Sequence, residues 1–221
     1  MAADVDICNL ALGHLGDDAN IASLTENSAQ AAYCNRFYPI ARDMVLQRGG
    51  FSFTLRRVAL ATDLVTIPKS WQYAYQGVNN SLKKIAVLAP DATDDTQSVP
   101  YAVESVDAAG TEVIYTNISS ATLRYIQRVT DTTKYSPLIV HAISRLLAAF
   151  LAGPLIKGQV GIQMAQSQMK IFEDMSLPQA MADDANSQQT DHFNDFVPKH
   201  MQSRVNGTVT PIWPGPLSSF P

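Results

Sequence analysis

Two adjacent basic pairs, Arg56-Arg57 and Lys83-Lys84, are the residues of this 221-residue chain best suited to holding an anion. In extended backbone, neighbouring side chains point to opposite faces, so each pair places one cation on either side of a strand. As ordinary solvated charges such residues contribute little, since exposed ion pairs are worth about 0–1 kcal/mol. Facing a nucleic-acid channel they gain a use, because copies arranged in a ring multiply a weak contact with phosphate. A second charged feature is the loop around Asp91, Asp94 and Asp95. It lacks the alternating ligands and terminal glutamate of a calcium-binding loop and reads as a solvated turn.

The remaining chemically active side chains are scattered. His14 and His141 fall within helical patterns, and His192 and His200 fall near the C-terminus. None has a carboxylate or thiol at a spacing that one regular element would bring together for acid–base or nucleophilic work. Cys8 and Cys34 are solitary cysteines inside helical patterns and read as small buried hydrophobes in a reducing compartment. The chain carries no Gly-rich phosphate loop, no His-Glu-x-x-His and no paired-cysteine framework. The sequence thus predicts no catalytic centre, no bound metal and no cofactor. Trp71, Tyr73 and Tyr75 alternate along one strand face and suit a core or interface better than a base-stacking platform.

The last 36 residues differ from the rest in kind. From Asn186 to Pro221 the sequence is polar and punctuated by proline, with the large aromatics Phe193, Phe196, Trp213 and Phe220 at intervals. Such a segment has too little apolar surface to offset the roughly 1–2 kcal/mol per residue lost on ordering a backbone. Spaced aromatics nevertheless dominate interface energetics when a partner offers pockets. The expectation is an extended arm that orders on another protein.

Composition limits the options for the body of the chain. It is 46% hydrophobic and 16% charged, with a net charge of −4. One good core, with or without a satellite domain, is expected. Tight binding driven by counterion release from nucleic acid is not, although a wall that DNA slides past tolerates this charge. The start, Met1-Ala-Ala-Asp-Val-Asp6, has neither the basic nor the apolar part of a secretory signal. No apolar run is expected to span a bilayer. These features predict a protein made in the cytosol, with no membrane partner.

The elements that must position these residues follow from periodicity. Asp4 is expected to cap a first helix with Ile7, Leu10, Ala11 and Leu15 buried, closed by Gly16. Ser23-Leu-Thr-Glu26 resembles a capping box ahead of a second helix, with Tyr33, Phe37, Ile40, Ala41, Met44 and Val45 as its stripe and Pro39 as a bend. From Phe51 the period falls to two. Strands are expected at Trp71–Tyr75, Lys84–Leu88, Tyr101–Val106, Glu112–Thr116 and Ala121–Gln127, with a hairpin loop at Asp107-Ala-Ala-Gly110. Ser136-Pro137 then opens a broadly apolar helix ended by Gly153-Pro154, and a Met- and Gln-rich helix follows, ending before Pro178. Neither helix pair can bury its stripes alone. The predicted fold is therefore α+β: a four-helix bundle-like domain from residues 1–50 and 135–185, a small antiparallel β domain inserted at 51–134, and an extended C-terminal arm at 186–221.

Several segments, in order, resemble a known family. They are Ile7-Cys-Asn-Leu-Ala-Leu-Gly-His-Leu-Gly16, Ala31-Ala-Tyr-Cys-Asn-Arg-Phe-Tyr-Pro-Ile-Ala-Arg-Asp-Met-Val-Leu46, Phe51-Ser-Phe-Thr-Leu-Arg-Arg-Val-Ala-Leu60 and Ser136-Pro-Leu-Ile-Val-His-Ala-Ile-Ser-Arg-Leu-Leu-Ala-Ala-Phe-Leu-Ala-Gly-Pro154. Together they resemble the head-to-tail adaptor of short-tailed bacteriophages, also called tail tubular protein A, over most of residues 4–175. The resemblance implies a virion protein, made in the host cytoplasm and assembled as a ring, a dodecamer, between the portal protein and the tail nozzle protein. The ring would extend the channel for double-stranded DNA. On that reading Phe193, Phe196, Val197 and Trp213 belong to a portal-binding arm, Asp91, Asp94 and Asp95 to a nozzle-facing loop, and Arg56, Arg57, Lys83 and Lys84 to the channel wall. The rival readings are a small tail-associated enzyme and a monomeric binding module with a disordered tail.

Overall fold

A computed structural model describes residues 2–62, 65–92, 97–107 and 110–187. Asp94, Asp95, His192, Phe193, Phe196, Val197, His200 and Trp213 lie outside the described residues. The chain divides into two units, residues 1–185 and residues 186–221. Only the first is described at length.

The first unit is mixed helix and antiparallel sheet. Helices α1 (Asp4–His14) and α2 (Ala29–Gly49) precede the strands; α3 (Pro137–Ile156), α4 (Gly158–Ile171) and α5 (Leu177–Ser187) follow them. Helix α3 is the element the others close on. Ser136 caps it by accepting from the Ile139 N–H at 3.4 Å, and Pro137 sits in its first turn, where a missing N–H costs nothing. Its buried residues, including Ile139, Ala142, Ile143, Leu146, Leu147, Leu151 and Ala152, run round most of its circumference. Each fully buried Leu or Ile contributes about 1.5–3 kcal/mol. Helices α1, α2 and α4 supply the covering surface.

The expected helix faces shift in phase. Helix α1 buries Ile7, Cys8, Ala11 and Leu12, while Leu10 turns to solvent; Ala3, not Asp4, is its N-cap. Asp4 is committed elsewhere and accepts a 2.5 Å hydrogen bond from the Tyr38 hydroxyl. Helix α2 starts at Ser28, whose hydroxyl accepts from the Ala31 N–H, five residues after the predicted cap. Glu26 instead closes the preceding turn, accepting from the Ala22 N–H and the Ser28 hydroxyl. Its buried side is Ala31, Cys34, Tyr38, Ala41, Arg42, Val45 and Leu46, and Ile40 is half exposed. Pro39 lies within a single helix, as expected. The stripe read from sequence was rotated because Arg42 is taken into the interior by specific partners.

Helix α2 stops at Gly50, which has φ of +59° and the left-handed conformation a helix C-terminus favours. Phe51 then folds back over Gly49 and is fully buried. A Cβ at 49 would overlap that ring. The next three residues, Ser52–Thr54, form a tight 3-10 turn despite the two-residue period that starts at Phe51, because Phe51 and Phe53 both pack into the helical core.

Seven strands form two sheets. β1 (Leu55–Ala59), β7 (Thr122–Gln127), β3 (Ser81–Leu88) and β4 (Ser98–Val99) lie in that order in one; β2 (Tyr73–Gln76), β6 (Glu112–Thr116) and β5 (Tyr101–Ser105) make the other. Tyr75 and Ile114 from the second sheet meet Val87, Leu123 and Tyr125 from the first in one apolar cluster. The two sheets therefore share a core. The β5–β6 hairpin is as expected, with Asp107 accepting from both the N–H and the hydroxyl of Thr111.

Two C-terminal expectations are corrected. Helix α3 runs past Gly153-Pro154 to Ile156. By length and hydropathy it is apolar enough to cross a membrane, contrary to the sequence expectation, but 56% of that stretch is buried within the protein. Pro178 does not end the last helix either. A π-turn at Phe172–Ser176 joins α4 to α5, and the Leu177 N–H reaches back to the Phe172 carbonyl. Pro178 is the second residue after this widened turn, where its missing N–H is tolerated.

Gly49→Ala is expected to cost about 1–3 kcal/mol, because the buried Phe51 ring has no space to retreat. Gly13→Ala, inside α1 with open space around its Cα, is expected to be neutral or to stabilise by about 0.5–1 kcal/mol. Urea unfolding of the two variants checks both signs.

Candidate functional site

The basic residues singled out by sequence converge on one sheet. Arg56 and Arg57 lie on β1, Lys83 and Lys84 on β3, and β7 runs between them. Arg56 and Lys84 both register with Tyr125, so the three form a row on one face. Arg57 registers with Arg124 on the opposite face. Irregularities in register on either side of Lys83 and Lys84 re-aim that stretch of β3. The strands of this sheet thus carry Arg56, Arg57, Lys83, Lys84 and Arg124 and no carboxylate, whereas those of the second sheet carry Glu104 and Glu112 and no Lys or Arg. Charge is segregated by sheet.

The individual cations differ in how far they are committed. Arg56 is exposed and donates from Nε to the Gln127 side chain at 3.1 Å. Lys84 forms an ion pair with Glu112, which ties the two sheets together. Neither Arg57 nor Arg124 is without a partner. Lys83 is exposed and faces a groove lined by Met44, Gln47, Arg48, Leu177 and Met181. Asp91 is exposed in the turn after β3. Sequence reading missed Arg124, although the alternation Leu123, Tyr125 inside and Thr122, Arg124 outside marks it as a surface residue of a strand.

A charged joint holds this sheet to the helices. The Asp43 carboxylate accepts from Arg42 Nε and Nη2 at 3.0 and 2.8 Å through one oxygen, and from Arg128 Nε at 2.7 Å through the other. Arg42 is buried and lies over the Tyr38 ring, 5.8 Å from its centroid. Removing the partly exposed Asp43 would leave the Arg42 guanidinium without its carboxylate, at a cost below the roughly 3–5 kcal/mol of a fully buried pair. Ser52 fixes the other side, donating from its N–H and hydroxyl to Asp184 on α5 at 2.9 and 2.6 Å.

The second polar cluster lies within the helices. His14 Nε2 is 3.1 Å from Ser144 Oγ, and Ser144 donates to the His141 carbonyl at 2.8 Å. Arg145 reaches His141 Nε2 at 3.2 Å and Gln168 Oε1 at 2.9 Å, and Gln168 Nε2 donates to the His14 backbone carbonyl at 3.1 Å. The His14 and His141 rings meet edge to face at 5.8 Å. This network laces α1, α3 and α4 together and satisfies polar groups on an otherwise apolar helix. Ser144 is fully buried, so a serine beside a histidine here is shielded from any substrate. The signal in sequence was His141, Ser144 and Arg145 at helical spacing on α3; their partner His14 lies too far away in the chain to be read. Cys8 and Cys34 also meet, and their mutual hydrogen bond together with burial pushes the Cys8 thiol up, which keeps it protonated.

Among the described residues no group of three or more His, Cys, Asp or Glu side chains is placed to hold a metal ion. No protein-family model matches the chain, and no curated protein matches it.

Burial, then Arg145 and His141, lower the His14 pKa to about 4, and burial and Arg145 also lower that of His141. Above pH 6.5 the histidines are neutral folded or unfolded, and their contribution to stability is complete. As pH falls from 6.5 towards 4, the unfolded chain takes up protons that folded His14 refuses, so stability is lost across that window. The His14 ring is expected to titrate near pH 4 by NMR, and His14→Gln is expected to flatten the fall in urea midpoint between pH 6.5 and 4.5.

Proposed function

We propose that this chain is a structural virion protein, a head-to-tail adaptor whose copies form a ring between a portal protein and a tail nozzle and extend the channel for double-stranded DNA. The observation that carries this reading is the organisation of the first unit. Both ends of the segment 1–185 close on α3, while its middle forms a separate pair of sheets with one basic sheet. That is the arrangement implied by the adaptor-like segments at 7–16, 31–46, 51–60 and 136–154.

The mechanism is interfacial. The helices, packed as a four-helix bundle-like domain, stand side by side in the ring, which has twelve copies. The β domain presents the loop containing Asp91, Asp94 and Asp95 to the nozzle. The sheet bearing Arg56, Arg57, Lys83, Lys84 and Arg124 carries its cations on both faces, and the exposed ones, Arg56, Arg57 and Lys83, are those suited to phosphate. A weak attraction there is an advantage, since DNA must slide past without being held, and a ring repeats it around the channel. The segment 186–221 is an arm that binds the portal through Phe193, Phe196, Val197 and Trp213.

A chain ending at Ser187 is expected to keep its helical circular dichroism and cooperative unfolding but to lose attachment to purified portal rings. Sedimentation of each chain with portal rings measures this. Normal co-sedimentation of the truncated chain would remove the arm from the account, and failure of the full chain to bind portal would remove the adaptor itself.

A further inference from the structure

We infer that Cys8 and Cys34 form a disulfide site, dithiol in the folded chain and closed by a small peroxide into a bond that ties α1 to α2; this does not rest on the adaptor reading. The two cysteines are far apart in sequence, and two antiparallel helices bring them together. The Tyr38 hydroxyl on α2 donates to Asp4 on α1 at 2.5 Å. One turn forward along α1 and one turn back along α2 lead to Cys8 and Cys34, since residues four apart share a helix face. A further turn along leads to Ala11 and Ala31, both fully buried and small enough to let the helices approach. Beyond these, Gln30 of α2 donates to Asp17, just after α1, at 3.3 Å. The thiols are thus bracketed by two hydrogen bonds along the same seam, and they hydrogen-bond one another.

Both cysteines are fully buried, and a thiol permanently sealed from solvent is inert. The seam has an opening route, however. A groove lined by Ala3, Asp4, Val5, Ser23 and Leu24 lies against the first turn of α1, the turn on which Cys8 stacks. Helix ends open locally at a small cost compared with global unfolding, and opening this turn admits a molecule little larger than water. The pair is also polarised. Its hydrogen bond, with burial, pushes the Cys8 thiol up, while the same bond lowers that of Cys34. Cys34 therefore supplies the thiolate and Cys8 keeps its proton.

The reaction runs in two displacements. The Cys34 sulfur attacks one oxygen of hydrogen peroxide; an S–O bond forms, the O–O bond breaks, and the departing hydroxide takes up the proton released from Cys34 and becomes water. The Cys8 sulfur then attacks the sulfur of the resulting sulfenic acid. The S–S bond forms, the S–O bond breaks, and hydroxide leaves as water with the proton of Cys8. Two thiols and one peroxide thus give one disulfide and two waters, the peroxide accepting the two electrons that the sulfurs lose. In a reducing compartment the pair stays dithiol, and outside it the bond persists. The closed loop restricts the unfolded chain, so the oxidised protein is the more stable form.

Treatment of the full chain with hydrogen peroxide under native conditions, after purification in dithiothreitol and desalting, tests the site. Both thiols are expected to become unavailable to alkylation, unreduced peptide maps to show the Cys8 and Cys34 peptides joined, and the urea midpoint to rise. Dithiothreitol is expected to reverse all three changes. Because it does not reduce methionine sulfoxide, that reversal assigns the rise to the disulfide. Cys34→Ala, treated alike, is expected to gain neither the link nor the rise; if that variant does not fold, reversal in the native chain carries the test. Thiols that stay free, cysteines that proceed to sulfinic acid, a link between two chains, or a linked chain with a lower urea midpoint overturns the inference and leaves the adaptor reading standing.

Discussion

A twenty-residue helix whose apolar residues run round most of its circumference cannot remain in water, and α3 imposes that condition on the whole chain. No single neighbour covers so wide a surface. Two helices from before the sheets and one from after them are needed, so residues near both ends of the segment 1–185 must meet. The residues between them are then left to build their own core, shared by two sheets through Tyr75, Ile114, Val87, Leu123 and Tyr125. Helices from both ends of this unit, with the antiparallel sheets between them in sequence, follow from this one burial requirement.

The polar interactions are placed where this arrangement needs orientation rather than mass. The Asp43 carboxylate, held between Arg42 and Arg128, fixes α2 to the strand end of the first sheet. Asp184, reached by the Ser52 N–H and hydroxyl, fixes α5 to the turn that leads into β1. The π-turn at Phe172–Ser176 makes that second contact possible, because it resets the helix face so that Phe172, Leu177 and Ala180 continue inward after Gln168. Within the helices, His14, Ser144, His141, Arg145 and Gln168 do the same for α1, α3 and α4. These groups define angles between elements.

Much of this was legible in the sequence, for identifiable reasons. Ser136-Pro137 carries its own physical signal for a helix start, and Asp107 with Gly110 does so for a hairpin; both are found. Strands β5, β6 and β7 fall within a residue of expectation because their alternation is strong. The errors have one origin: tertiary partners override local pattern. Leu10 and Ile40 lost burial because α1 and α2 turned towards α3 with Cys8, Leu12, Tyr38 and Arg42 inside. The Phe51–Phe53 alternation imitated a strand, yet both rings were claimed by the helical core. At the site, the pairs Arg56-Arg57 and Lys83-Lys84 were visible, but their union on one sheet through β7 was not, because nothing local reports that β1 and β3 share a neighbour. The meeting of His14 with His141 was hidden for the same reason.

The central proposal is that copies of this chain assemble around a DNA channel with α3 sealed inside each subunit. A cryo-electron microscopy reconstruction of the full chain assembled on portal rings tests it most directly. The predicted result is a twelve-membered ring below the portal, continuous with its channel, with α3 interior to every subunit and the sheet of β1, β7, β3 and β4 towards the lumen. Isolated copies scattered on the portal without a closed ring, or a ring whose lumen is not continuous with the portal channel, would contradict it.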